Sequence, residues 1–178
     1  VRDEITAHLG TAGIEKGFVT VRLGLSNAVS GLTFGSNQTF YLPPEVEGRL
    51  FALVPGDFNG DGRIDLAAGF LDSRVAFFQG NGDGTFTHTR THRFVNQARG
   101  LVAGDFDRDG DLDLAGVGIS GEMWVVENLR LPASPNTTNL LWATSLTNVQ
   151  VYPPPPGESF GGRRIIAADQ NGDGDLDL

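Results

Sequence analysis

Five carboxylates fall within nine residues in Asp105-Phe106-Asp107-Arg108-Asp109-Gly110-Asp111-Leu112-Asp113. Like charges a few ångströms apart repel by on the order of 1 kcal/mol per pair even in water. Such a cluster is tolerable only with a positive charge among the aspartates. Asp at positions 1, 3 and 5, Gly at 6 and Asp at 9 describe a tight loop whose oxygens converge on one point. Ca²⁺, a hard cation taking roughly 6–8 oxygen ligands, suits that arrangement best. Gly is needed at position 6 because the chain reverses there and only Gly reaches positive φ at no steric cost.

The loop recurs. Asp57-Phe58-Asn59-Gly60-Asp61-Gly62-Arg63-Ile64-Asp65 is one copy, and Asp169-Gln170-Asn171-Gly172-Asp173-Gly174-Asp175-Leu176-Asp177 is another. All three keep Asp or Asn at position 3 and close with a Leu at position 10, namely Leu66, Leu114 and Leu178. Three matches in one short chain mark a repeat protein whose repeat carries a cation loop.

The elements that must hold these loops are strands. Phe18–Leu25 alternates as a strand should, and Leu32–Phe34 and Thr39–Leu42 read as further short strands. Leu50–Val54 runs into the first loop and Leu66–Phe70 leaves it, followed by Arg74–Phe78 and a tight turn at Gly80–Phe86. Gly35–Phe40 occupies the equivalent place in the preceding unit. Leu101–Gly104 enters the second loop, Leu114–Gly118 leaves it, and Glu122–Asn128 follows as a strand. Val1–Gly17 shows no clear period and is expected to be a loop or a poorly defined first turn. No segment sustains a 3.6-residue apolar period, so helix content should be low.

Loop starts are 48 and then 64 residues apart. The extra length falls in Leu131–Asn139 and in the four prolines Pro153–Pro156, both of loop composition. A unit of about 48 residues with roughly four short antiparallel strands matches one blade of a β-propeller. The expected fold class is therefore all-β, with about three four-stranded antiparallel blades. Units fall at about 1–56, 57–104 and 105–168, with 169–178 starting a further blade.

The 178 residues suffice for one domain with a sizeable core, and 39% hydrophobic with 20% charged residues is a globular composition. Twelve of the 22 acidic residues lie in the three loops, so the net charge of −9 is mostly a local cation-binding feature. That charge argues against nucleic acid or an anionic membrane as the main partner. With no Cys, disulfides and thiolate metal sites are excluded. Loops of this kind fill readily where Ca²⁺ is millimolar, which fits an exported protein. The chain begins at Val1 with no basic n-region and no apolar run of signal or membrane length, so no membrane insertion is expected. A processed product or a piece of something larger is expected.

An EF-hand would need a Glu at position 12 and flanking helices. Position 12 is Ala68 in the first loop and Gly116 in the second, and the flanks read as strands. The D-x-[DN]-x-DG-x-x-DL pattern between strands, once per blade-sized unit, resembles the FG-GAP/VCBS repeat family, which includes the calcium-binding blades of integrin α-subunit propellers. Gly56-Asp57-Phe58, Gly104-Asp105-Phe106 and the Gly82–Phe86 turn add to the likeness, which runs from about Phe18 to Leu178 and is strongest over Phe51–Leu114. The third unit departs, with its insertion and with Ala168-Asp169-Gln170 in place of Gly-Asp-Phe.

Position by position, the resemblance implies side-chain ligands from Asp57, Asn59, Asp61 and Asp65 in the first site and from Asp105, Asp107, Asp109 and Asp113 in the second. It implies Asp169, Asn171, Asp173 and Asp177 in the third. Position 7 ligates through its main-chain carbonyl, from Arg63, Asp111 and Asp175, which would leave the Asp111 and Asp175 carboxylates facing solvent. In this family the Ca²⁺ ions brace loops and are structural, so no catalytic residue and no enzymatic activity are expected.

The function this implies is an extracellular or cell-surface module for adhesion, protein interaction or scaffolding, with a protein or glycan partner. Three repeats are too few to close a ring of 4–8 blades. Joined tail to head, the two ends of the chain make one complete unit. One alternative is therefore a filament or ring subunit assembled head-to-tail by strand addition between copies. Another is a carbohydrate-binding accessory module of a larger secreted protein, with Trp124 and Trp142 available to stack on sugars, although buried blade positions suit them better. His88 and His92, four apart, would share a strand face, but no third zinc ligand accompanies them. Asn37-Gln38-Thr39 and Asn136-Thr137-Thr138 are glycosylation sequons. No G-x-S-x-G, P-loop or H-E-x-x-H motif is present.

Overall fold

A computed structural model describes residues 4–8, 18–22, 24–27, 31–34, 38–42, 48–94, 97–128, 149–153, 156 and 164–178. Among them are thirteen strands and no helix. The strands are β1 (Glu4–His8), β2 (Phe18–Arg22), β3 (Gly24–Asn27), β4 (Gly31–Phe34), β5 (Gln38–Tyr41), β6 (Leu50–Gly56), β7 (Asp65–Phe70), β8 (Arg74–Gly80), β9 (Phe86–Arg93), β10 (Gly100–Gly104), β11 (Asp113–Val117), β12 (Met123–Val126) and β13 (Val149–Tyr152).

They form two four-stranded antiparallel sheets in simple sequence order, β6-β7-β8-β9 and β10-β11-β12-β13. β1-β2-β5 is a three-stranded sheet, and β3-β4 is a separate hairpin. The entry and exit strands of the first two loops stand where the alternation puts them, with β6 and β10 leading in and β7 and β11 leading out.

The N-terminal part differs from the sequence expectation in two ways. Val1–Gly17 contains β1, which pairs with β2 in unbroken register from Glu4↔Arg22 to His8↔Phe18. Five residues of Glu-Ile-Thr-Ala-His are too few for alternation to stand out. In addition, the stretch before β5 does not repeat the β8–β9 meander: β4 pairs back on β3, while β5 pairs with β2. Closure across a short connection costs the least chain entropy, so the hairpin forms locally and β5 finds an older partner.

Successive strand residues point to opposite faces, and the core divides accordingly. All six residues of β7 are buried. Leu66, Ala68 and Phe70 join Ala76, Phe78 and Phe86 on one face, which Phe40 and Leu42 cover. Phe40 packs edge-on against Phe78, with ring centroids 5.3 Å apart. Ala67, Val75 and Phe77 take the other face and meet Leu114, Trp124 and Val126 of the next sheet. A sheet buried on both faces between neighbours is the stacking that blades require.

Trp124 locks that second interface. Its indole lies over Gly116, its cross-strand partner, so closely that a side chain there would collide with the ring. Phe94 stacks on it, with centroids 4.6 Å apart and planes 9° from parallel. Trp124 is buried, as a blade position demands, and cannot present its face to a sugar. Trp142, Asn37 of the first sequon, the whole second sequon and the Leu131–Asn139 insertion lie outside the described residues. Pro153 and Pro156 are exposed.

Candidate cation-binding loops

Each acidic loop is wound by its own side chains. The position-5 main-chain N–H donates to the position-3 side chain: Asp61 to Asn59 Oδ1 at 2.9 Å, Asp109 to Asp107 Oδ1 at 3.1 Å, and Asp173 to Asn171 Oδ1 at 2.9 Å. The position-7 N–H donates to the position-5 carboxylate, from Arg63, Asp111 and Asp175 at 2.8–2.9 Å. Asp and Asn favour this local bonding to N–H groups two residues on.

The position-6 glycines close the loop on its first residue. Gly62, Gly110 and Gly174 donate to Asp57, Asp105 and Asp169 at 2.8, 3.1 and 3.0 Å. Their φ values of 82°, 92° and 88° lie where a Cβ is disfavoured. One motif therefore yields one geometry three times.

Position 9 anchors the loop to the sheet. Asp65 accepts N–H bonds from Phe58 (3.2 Å) and Gly80 (2.8 Å), and Asp113 from Phe106 and Asn128 (both 2.8 Å). Asp177 accepts from Gln170 at 2.9 Å, and the third loop is shut by a two-bond bridge between Ala168 and Asp177. Asp65 and Asp113 are fully buried. Burial pushes each carboxyl up to about 6, against the main-chain N–H bonds that favour the charged form. Asp61 and Asp57 raise Asp65 further, and Asp107 and Asp109 do the same to Asp113. An ionised carboxylate offers about four lone-pair directions, so one N–H per oxygen leaves room for a cation.

The second loop has the strongest need of one. Asp105, Asp107 and Asp109 each offer an oxygen within 4.8 Å of the others. In the first and third loops Asn replaces the middle acid and ties itself to position 5, with Asn59 Nδ2 donating to Asp61 and Asn171 Nδ2 to Asp173. Asp107 has no such donor to give. Asp105 Oδ1 is buried without a hydrogen-bond partner. A buried carboxylate oxygen left bare costs on the order of 1–3 kcal/mol or more. A hard divalent cation among these oxygens removes both the repulsion and the orphan, so the donor set fits Ca²⁺.

The position-7 residues differ from one another. The Asp111 carboxylate does not face solvent as expected: the residue is buried, in the one loop flanked on both sides by another. Asp175, exposed at the end of the row, pairs with Arg108. The two histidines also part company. A β-bulge between Phe77 and Phe78 pairs Phe78 with His88 but Phe77 with Arg90, skipping Thr89. One extra residue inverts the face, so His88 lies against Phe78 and His92 against Phe77 on opposite sides of the sheet. They do not share a face and form no zinc site together.

Two residues that motif reading passes over tie the loops to each other. Asn128 Nδ2 donates to Phe58 O at 2.7 Å and Leu112 O at 3.1 Å, joining the first loop to the second. Its offset was the available signal: Asn128 stands 15 residues after Asp113, as Gly80 does after Asp65. Arg108 joins the second loop to the third.

Residues 57–116 match the family model described as FG-GAP-like repeat, which bears out the resemblance over the first two loops. No curated protein matches the chain. Among the described residues no helix is long and apolar enough to cross a membrane.

Proposed function

We propose, from the premise of an FG-GAP-like repeat at residues 57–116, that the three acidic loops are structural Ca²⁺ sites of a β-propeller-type module. The observation that carries this is the convergence of Asp105, Asp107 and Asp109 around a buried, unpartnered Asp105 oxygen. The first and second loops turn the chain between successive strands of a sheet, and the third turns it between the bridged residues Ala168 and Asp177. A bound cation therefore fixes the corner from which each pair of arms runs. The ligands are Asp57, Asn59, Asp61 and Asp65, with their counterparts in the other two loops, and the position-7 carbonyl completes each set. Its role is bracing, and the module serves adhesion, interaction or scaffolding outside the cell, where Ca²⁺ is abundant enough to fill modest sites.

At a Ca²⁺ concentration ten times Kd, each filled site adds about 1.4 kcal/mol to folding stability. Calorimetric titration of the full chain should therefore give binding heat. EDTA should lower Tm, and Mg²⁺, which demands a tighter octahedron, should restore it poorly. The absence of binding heat together with an EDTA-insensitive Tm would overturn this reading.

A further inference from the structure

Position 4 of the loop lies in left-handed backbone in all three copies, with φ of 70° at Gly60, 65° at Arg108 and 80° at Gly172. Two copies use Gly. The second uses Arg, at a cost of roughly 1–2 kcal/mol in backbone conformation. A long side chain held at that cost should do something Gly cannot.

Its guanidinium reaches the next loop. Arg108 Nη2 pairs with the Asp175 carboxylate and donates to the Asp173 main-chain oxygen at 3.3 Å. Those residues are positions 7 and 5 of the third loop. The contact consumes no oxygen proposed as a cation ligand: the Asp175 carboxylate and the Asp173 carbonyl both lie outside that set. Beside it, Leu176 packs against Gly104 at the foot of the second loop, where a Cβ would come within 2.6 Å of Leu176 Cδ1. The third loop is thus seated on the second, and its surplus charge is met by a residue whose backbone belongs to the second.

We infer that Arg108 is a positioning residue coupling the cation occupancy of the second and third loops, an inference that rests on the function proposed above. A cation in the second loop fixes the position-4 backbone and with it the point from which Arg108 reaches. The third loop then meets its own cation already braced at positions 5 and 7. By linkage, filling the third loop favours filling the second by the same factor. The first loop, with Gly60 at position 4, stands outside this coupling. For an exposed ion pair the factor should be small, about three- to fivefold in Ca²⁺ affinity.

The test is a Ca²⁺ titration of the ¹⁵N-labelled full chain at fixed ionic strength, following the amides of Gly62, Gly110 and Gly174. Each donates to the first aspartate of its own loop, so each reports one site. Disabling the second loop with Asp105→Asn should raise the Gly174 midpoint about three- to fivefold. Arg108→Gly should raise it equally with the second loop intact, and Asp105→Asn added to it should raise it no further. Asp175→Asn should reproduce Arg108→Gly, Arg108→Lys should recover part of the loss, and Gly62 should not respond to any change at Arg108 or Asp175. A Gly174 midpoint indifferent to Arg108→Gly, or still responsive to Asp105→Asn in its presence, overturns the coupling. If none of the three amides moves with Ca²⁺ in the unaltered chain, the proposed function itself fails and the coupling falls with it.

Discussion

The first and second loops meet through a buried, neutral junction, and the second and third through an exposed, charged one. At the first, the Asn128 amide spans two main-chain carbonyls while Leu112 packs against Gly56. At the second, a guanidinium more than half exposed reaches over to Asp175 and the main chain of Asp173. Similar loops are thus joined by interactions of very different strength. Removing one partner of a buried polar contact strands the other without water, whereas removing one partner of an exposed pair leaves it solvated. Rigidity should therefore be greatest between the first two loops, which is also where the family match lies.

The largest expected effect is at the first junction. Asn128→Ala leaves the Phe58 and Leu112 carbonyls without their amide donor and opens a small void. It should destabilise the Ca²⁺-loaded chain by about 2–4 kcal/mol in urea unfolding. If it cost no more than Arg108→Gly, the distinction between the junctions would be wrong.

Position 9 offers the next comparison. Asp113 is fully buried and accepts two main-chain N–H bonds, while Asp177 is only partly buried. Asn in place of Asp113 must turn an NH₂ toward one of those donors, a loss of about 1–3 kcal/mol. It also removes a carboxylate whose ionised form burial disfavours, so the net loss should be largest near pH 4 and shrink above about pH 6. Asp177→Asn should cost less than about 1 kcal/mol, because water can reach the site. Both are measured in EDTA, so that lost cation binding does not enter.

The buried acids also set a pH dependence whose sign turns on the cation. The carboxyls of Asp65 and Asp113 are raised from 3.8 to about 6, so the metal-free fold binds their protons more tightly than the unfolded chain does. Their contribution to stability is fully present below pH 4 and is lost as pH rises toward 6. In EDTA, Tm should fall across that window. In saturating Ca²⁺, which needs the ionised form, it should rise instead. Parallel curves with and without the cation would mean that these two acids do not face it.

Much of this was legible from residue spacing. The D-x-[DN]-x-DG-x-x-D pattern specifies its own hydrogen bonds, because each Asp or Asn bonds N–H groups within a few residues. Alternation and apolar runs located β6–β8 and β10–β12, where the apolar signal is dense. What stayed hidden depends on partners far along the chain. Asn128 acts on Phe58, seventy residues away, and only its offset from Asp113 marks it. The His88/His92 register was set by a bulge opposite Phe77 and Phe78, which no periodicity within β9 reveals. β1 is visible only through its pairing with β2.

The smallest effect, and the one most dependent on conditions, belongs to Arg108. Gly at that position relieves roughly 1–2 kcal/mol of left-handed backbone cost, less the extra chain entropy that Gly loses on folding. It also removes an ion pair worth well under about 1 kcal/mol. At about 0.01 M ionic strength, where charges are felt over roughly 30 Å, Arg108 also offsets the repulsion among nine aspartates in two adjoining loops. At about 1 M salt, that reach shrinks to roughly 3 Å and only the backbone term remains. Arg108→Gly should therefore be close to neutral in dilute buffer and measurably stabilising in concentrated NaCl, with urea midpoints as the readout. A variant destabilised at both salt concentrations would mean that Arg108 holds the third loop by packing and not by charge.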